Sequence, residues 1–312
     1  MSDQIDAKET LNHVMGIFSE SLELTRKTAE FINSKAVPDT VMDHYGISLF
    51  NRMYTTSVSI MRLLPLDIND MDVYLSYNSI ISLSRTLIDC SLTLFYLWFD
   101  KVDFNTRKLR FVYTSLYGLK NEFDAFNRIE HYEKASAFLK KFKTNKKLIC
   151  ASREYIDLSE KEVKEKIKDF EKSLKNNHQF YGYCKKEKLY KNMGYMDVST
   201  FRLAQYILST FVHSSPSSIC SKDDSIQERY EWAMRNISFA LTISSAILAH
   251  STRDFIKKII NKNKFIYAQL SEQDKAELDE IIQQITGLIK IINPNEEWVY
   301  KKLKIEAEEF WA

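Results

Sequence analysis

The sequence has few glycines and prolines, with 6 Gly and 4 Pro among 312 residues. The glycines are all isolated from one another: Gly16, Gly46, Gly118, Gly182, Gly194 and Gly287. Phosphate loops and dinucleotide-binding turns need several closely spaced glycines, because the backbone must turn tightly and approach the phosphate. Runs with a period of two residues between turn pairs are also lacking. The sequence therefore excludes those two nucleotide sites and predicts an all-α protein.

Cysteine is also scarce. The four cysteines, Cys90, Cys150, Cys184 and Cys220, are far apart and form no C-x-x-C pair. The N-terminus carries no basic segment followed by an apolar run, which a secretory signal needs. We therefore expect a reduced, intracellular protein in the cytoplasm.

Charge of one sign does not predominate, since 44 basic and 42 acidic residues give a net charge of +2. No global field draws the chain to nucleic acid or to a membrane. Of the longest apolar runs, Leu87–Phe99 contains Asp89 and Ile237–Ala249 is short. We expect neither run to span a membrane.

Apolar residues recur with helical spacing along most of the chain and predict a multi-helix bundle. Helices are expected at about 8–35, 39–64, from Asn69 or Asp70 to Phe99, and from about 103 to 129. Capping boxes at Ser225-x-x-Glu228 and Ser271-x-x-Asp274 predict two further starts, the first for a helix to about residue 261. A stripe of small residues on that helix favours close packing of a neighbour.

Composition divides the chain into four predicted regions. Residues 1–129 form an N-terminal helical core and 192–262 its second half. Residues 130–191, rich in Lys and Glu, form a charged helical excursion whose Lys runs favour a solvated face over a nucleic-acid patch. Residues 263–312 form a C-terminal helical hairpin, with Pro294 between its two helices.

One helix, capped by Asp197 or Ser199 and ended by Pro216, is apolar on most sides but has a polar stripe. The stripe consists of Arg202, Gln205, Tyr206, Ser209 and His213. A second stripe, on the helix that ends near Phe99, consists of Asn78, Ser82, Arg85, Asp89 and Tyr96. Helices this apolar belong in a core, so we expect their polar edges to face partners or a pocket.

If the two stripes meet, they form a polar cleft with a positive balance of charge. Its predicted ligand-binding residues are Arg85, Arg202, Ser209 and Asn78, since arginine holds phosphate in bidentate fashion. Its predicted catalytic residues are His213, Tyr206 and Asp89, with His213 titrating near neutral pH. The alternative is a buried polar network that fixes the register of the helices.

No cofactor and no metal are predicted. The six histidines include no H-E-x-x-H and no Glu-x-x-His pair, so the common helical zinc and di-iron sites have no ligand set. A metal site or a Cys-His pair assembled from distant residues stays open.

The segments Arg85-Thr-Leu-Ile-Asp89 and Tyr206-Ile-Leu-Ser209-Thr-Phe-Val-His213 resemble an uncharacterised bacterial all-helical family, catalogued as a domain of unknown function. Its members pair an R-x-x-x-E/D helix with a later Y-x-x-L-S-x-x-V-H segment. The resemblance covers roughly Tyr45 to Ser218, with Asp89 where Glu is more frequent. It implies an all-α fold and supports the choice of site, but brings no established reaction.

A looser similarity is to the helical HEPN ribonucleases of toxin and phage-defence systems, which use a short Arg-to-His motif. Here neither Arg202 and His213 nor Arg128 and His131 have the spacing of that motif.

Two functions are consistent with these patterns. The first is a defence- or stress-associated effector, toxin-like, that binds RNA, a nucleotide or another phosphate-bearing ligand in the cleft. The alternative is a non-enzymatic helical scaffold or sensor, which binds a protein partner or forms a homo-oligomer through its C-terminal helices.

Overall fold

The computed structural model describes residues 7–35, 41–65, 72–102, 107, 110–111, 114, 186–212, 225–262 and 270–311. Seven α-helices lie in these ranges: α1 Ala7–Lys35, α2 Val41–Leu63, α3 Asp72–Leu94, α4 Lys186–Met193, α5 Val198–Val212, α6 Ile226–Lys262 and α7 Glu272–Trp311. A π-helical turn, Phe95–Phe99, follows α3 directly. The described ranges contain no strand, so the predicted all-α class is confirmed.

The chain forms two compact units. The first consists of Met1–Phe95 and Met193–Ala312, and the second of Tyr96–Asn192. The predicted excursion at 130–191 falls within the second unit, which begins earlier in the sequence than the excursion. Almost all of 130–191, and most of the helix predicted at 103–129, lies outside the described residues.

The core of the first unit is built around α6, which packs against α1, α3 and α7. Small hydroxyl residues allow close approach: Thr25 on α1 and Thr252 on α6 share a 2.9 Å hydrogen bond between their side-chain oxygens. Hydroxyls such as that of Thr242 donate to the carbonyl one turn earlier, so burial leaves them satisfied. The close packing predicted from the small stripe on α6 is confirmed.

Two helix starts follow their predicted capping boxes. The Ser225 hydroxyl accepts from the Glu228 backbone N–H at 3.2 Å, and the Glu228 carboxylate accepts from the Ser225 N–H at 2.7 Å. Ser271 and Asp274 make the same reciprocal pair at 3.1 and 3.2 Å. Both boxes satisfy N–H groups that a helix start otherwise leaves unpaired.

The C-terminal hairpin predicted from Pro294 is wrong. One helix, α7, runs from Glu272 to Trp311 through this proline. Proline has a helical φ and removes only one N–H donor, at a cost of about 3 kcal/mol. Helix-forming residues on both sides, and an apolar stripe before Pro294 that includes buried Leu278, Ile285 and Ile292, carry the helix past it.

The stretch Ser76–Phe99 is long and apolar enough to cross a membrane by length and composition. Within it, 72% of the most apolar window is buried against the rest of the protein. This is the burial expected of a core helix packed between others, as α3 is between α2, α5 and α6.

The second unit contains a buried ion pair. Nη1 of Arg110 lies 2.7 Å from Oδ2 of Asp100, and both side chains are 5% exposed. Arg110 also donates to the carbonyl of Tyr96 at 2.8 Å and lies over its ring. Asn192 donates to the other oxygen of Asp100 at 3.2 Å. Buried charges need such partners, so the pair fixes the start of this unit to α4.

Candidate functional site

Helix α5, which carries the first polar stripe, is capped by Asp197 as predicted. One oxygen of Asp197 accepts from the backbone N–H groups of Ser199 at 2.8 Å and Thr200 at 3.0 Å. The carboxylate also accepts from both hydroxyls. Partial burial opposes its ionisation, but these hydrogen bonds outweigh burial and lower the pKa of Asp197. The cap fixes where α5 begins, and therefore which side chains face α3.

Helices α3 and α5 pack against each other in antiparallel directions. At one end, the ring of Phe95 meets that of Tyr195 edge-on, with centroids 6.3 Å apart. At the other end, Nε of Arg85 donates to Oγ of Ser209 at 3.0 Å. Phe95 lies C-terminal to Arg85, whereas Tyr195 lies N-terminal to Ser209, so the two helices run in opposite directions. The structure thus brings the polar stripes of α3 and α5 side by side.

Arg85 is held on two sides. Its Nη1 lies 2.5 Å from Oδ1 of Asp89, one turn later on α3. The Arg85 side chain is 18% exposed and that of Asp89 is 50% exposed. Within the part of the chain that the structure describes, Nη1 is buried and makes no hydrogen bond of normal geometry despite its closeness to Asp89, and Nη2 donates none. One edge of the guanidinium is therefore fixed, and two N–H groups remain for an anion from solvent.

The other predicted residues differ in their positions. Asn78 is exposed, two turns before Arg85 on the same face of α3. Arg202 is exposed on α5, and Tyr206 is 62% exposed. His213 follows α5 but lies outside the described residues. The structure therefore joins Arg85, Asp89 and Ser209 directly and leaves Asn78, Arg202 and Tyr206 at the surface around them.

A third helix, α2, borders the site formed by Arg85, Asp89 and Ser209, and the sequence did not predict its position there. Both α2 and α5 pack on α3, but in the described part of the chain they do not pack extensively on each other. The strip of α3 between them carries Arg85 and Asp89 and is partly exposed. We call this strip, with Ser209 on the α5 side and Arg52 on the α2 side, the Arg85 groove.

Arg52 on α2 acts electrostatically on Cys90 and Tyr45. Burial raises the pKa of Cys90, the neighbour of Asp89 on α3; Arg52 opposes this shift and Asp89 adds to it. Arg52 likewise opposes the rise that burial causes in the pKa of Tyr45, one side of which faces solvent. Arg52 is exposed on α2, and its positive charge acts on Cys90, next to Asp89. The seven-residue spacing of Tyr45 and Arg52, which puts them on one face of α2, was the signal for them in the sequence.

A separate polar residue lies deep in the first unit. The ring of His250 on α6 is 4% exposed and stacks on that of Tyr195, with centroids 5.0 Å apart. Neither ring nitrogen has a hydrogen-bond partner in the described structure. Burial, reinforced by the charge of Arg253, lowers the pKa of His250 to about 4. His250 is thus neutral at physiological pH, and its two polar atoms are costly to bury.

The described residues offer no set of three His, Cys, Asp or Glu side chains close enough to hold a metal ion. The Arg85 groove presents hydrogen-bond donors, one carboxylate and positive charge.

No curated protein and no solved structure is significantly similar to the chain. Residues 43–229 match a family described as a family of unknown function (DUF5677). The match contains all of α3 and α5, and agrees closely with the range from Tyr45 to Ser218 expected from the two motifs. Because it covers more than half of the 312 residues, the chain belongs to this family of unknown function, DUF5677.

Proposed function

We propose that the Arg85 groove binds a phosphate-bearing ligand. The observation that carries the proposal is the orientation of Arg85, whose Nε is fixed by Ser209 at 3.0 Å while Nη2 remains available. A fixed guanidinium loses less side-chain entropy when it binds than a mobile one. Hydrogen bonds between a guanidinium and a phosphate are charge-assisted and roughly twice as strong as neutral ones.

The charges around the groove support the same ligand class. Arg85 and Arg52 oppose the single carboxylate of Asp89, and Arg202 is exposed on the next helix. Asp89, half exposed, is free to turn towards solvent when an anion approaches, because an exposed ion pair contributes at most about 1 kcal/mol. The excess of positive charge favours an anion over a neutral or cationic ligand.

Binding of inorganic phosphate to the full chain tests this proposal. Calorimetric titration should show saturable binding, and Arg85→Gln should weaken it by about tenfold or more, since a hydrogen bond to a charged group contributes about 1.5–3 kcal/mol. Arg26→Gln is the matched control, because Arg26 on α1 pairs with Glu23 and Glu30 away from α3 and α5. Equal affinity in wild type and Arg85→Gln would refute the proposal.

Acid-base catalysis by His213 is a second, separable part of the proposal. Its support is the sequence: His213 follows Ser209 by four residues, and histidine is the side chain whose ordinary pKa suits proton transfer near neutral pH. His213→Ala should abolish turnover of a bound phosphodiester while phosphate affinity and melting temperature stay close to wild type. Retained turnover would show that His213 is not the catalytic acid or base, whereas a wild type without turnover would be a binding protein. The expected role as a defence or stress effector stays a prediction, which the neighbouring genes would test.

A further inference from the structure

The most exposed aromatic side chain in the described structure is Tyr206, at 62%. Large apolar side chains of similar exposure are few there and lie on other helices: Tyr45, Met61 and Ile291. A single exposed ring is not unusual in itself. Its position close to Arg85, however, suggests a role in ligand binding.

Tyr206 lies on the solvent side of the Arg85–Ser209 contact. It precedes Ser209 by three residues, about 4.5 Å along the axis of α5 and about 60° around it. Because α5 runs antiparallel to α3, Tyr206 lies further along α3 than Ser209 does, on the side of Arg85 where Asp89 follows. The buried side of α5, with Phe201, Ala204 and Leu208, faces the opposite way. The ring is therefore at the rim of the Arg85 groove, with its faces open to a ligand.

We propose that Tyr206 is a stacking platform for a nucleobase, so that the ligand of the groove is a nucleotide whose base is unstacked. The source of that nucleotide is either a free mononucleotide or an unpaired position in a single strand. This inference rests on the proposed phosphate site. It gives Tyr206 a binding role in place of the catalytic role that its phenol suggested in the sequence.

The chemistry of the three residues fits this ligand. The phosphate binds the open edge of Arg85, and the base lies on the tyrosine ring one turn away, as bases do on aromatic side chains in single-strand-binding proteins. Arg202, exposed four residues before Tyr206 on the same face, adds positive charge where a neighbouring phosphate of a strand would pass. A base-paired nucleotide is excluded, because its base faces are covered by its neighbours.

Three ligands separate the base from the phosphate: AMP, ribose 5-phosphate and inorganic phosphate. With the full wild-type chain, AMP should bind about five- to 100-fold more tightly than ribose 5-phosphate, the range that stacking of one base supports. Tyr206→Ala should abolish this advantage and leave the affinity for ribose 5-phosphate unchanged. Tyr206→Phe should retain the advantage, because stacking needs the ring and not the hydroxyl. An exposed helix position tolerates both substitutions.

The possible outcomes distinguish the stacking role of Tyr206 from the phosphate site on which it depends. If ribose 5-phosphate binds through Arg85 and AMP binds no more tightly, the stacking role is wrong and the phosphate site stands. If none of the three ligands binds, both fall. A single-stranded RNA oligonucleotide should bind more tightly than its duplex, and equal binding of the two would also overturn the stacking role. An oligonucleotide that binds more tightly than AMP identifies the strand as the ligand's source, and the reverse identifies the mononucleotide.

Discussion

Nε of Arg85 on α3 donates a 3.0 Å hydrogen bond to Oγ of Ser209 on α5, across 124 positions of sequence. This bond joins the two polar stripes and lies within the family match at residues 43–229. It also fixes which edge of the guanidinium faces the groove. The proposed anion site depends on this orientation.

Ser209→Ala removes the acceptor for Nε of Arg85. We expect the free energy of unfolding to fall by about 0.5–1.5 kcal/mol, the usual contribution of one hydrogen bond. Phosphate affinity should fall about threefold, because Arg85 becomes mobile. Denaturant titration and calorimetry measure the two effects. The control is Thr210→Ala, whose hydroxyl bonds only the carbonyl of Ile207 in its own helix; a Thr210→Ala protein that loses as much phosphate affinity would argue against a specific role of Ser209.

Asp89→Asn removes the negative charge that lies 2.5 Å from Arg85. We expect phosphate to bind up to about fivefold more tightly, since the ligand no longer competes with an internal carboxylate. Stability should change by less than about 1 kcal/mol because Asp89 is half exposed. Asp279→Asn, on the exposed side of α7, makes the same change of net charge elsewhere. Weaker phosphate binding in Asp89→Asn alone would show that Asp89 assists the ligand.

The sequence predicted the helices well where local signals are strong. Capping boxes at Ser225 and Ser271 placed two starts correctly because the side chains that satisfy the first N–H groups are local in sequence. Pro294 misled the prediction, because helix-forming residues on both flanks and packing on one flank offset the cost of a proline inside the helix. The π-helical turn at Phe95–Phe99 has no local signal that would separate it from α3.

Part of the site was also predictable from signals that are local in sequence. Helical periodicity put Arg85 and Asp89 on one face, and the matching stripe on α5 supplied Ser209. Periodicity cannot say which third helix closes the groove, so Arg52 on α2 was missed. Nor can it distinguish a buried polar residue from an exposed one, so the 62% exposure of Tyr206 could not be predicted.

The buried His250 predicts a pH dependence of stability. Its pKa is about 4 in the folded protein, against an ordinary value of 6.5. The unfolded chain therefore takes up a proton as pH falls through 6.5, whereas the folded chain does so only near pH 4. His250 therefore leaves the free energy of unfolding unchanged above pH 6.5. As pH falls from 6.5 to 4 the free energy of unfolding decreases, and at pH 5 the loss is about 2 kcal/mol.

His250→Leu should remove this part of the pH dependence. Denaturant titrations at pH 7 and pH 5 should show that the variant loses about 2 kcal/mol less than wild type between the two values. At pH 7 the variant should be at least nearly as stable, because the two unpartnered ring nitrogens are gone. Parallel losses in the two proteins would mean that His250 is not kept neutral by burial.

Asp100→Asn breaks the buried ion pair of the second unit. We expect a loss of about 3–5 kcal/mol, because Arg110 stays charged and buried without its counter-ion. Lys101→Gln, at the exposed neighbouring position, should have little effect. Thermal unfolding measures both variants. Similar melting temperatures for Asp100→Asn and wild type would show that solvent reaches the pair.

The most direct test of the anion site observes Arg85 itself. In a full chain with ¹⁵N-labelled arginine, the Nε–Hε signal of Arg85 is assigned by its loss in Arg85→Lys. On titration with inorganic phosphate, this signal should shift saturably, following the affinity measured by calorimetry, while the signal of Arg26 stays in place. An Arg85 signal that does not move at phosphate concentrations that saturate the protein would contradict the account.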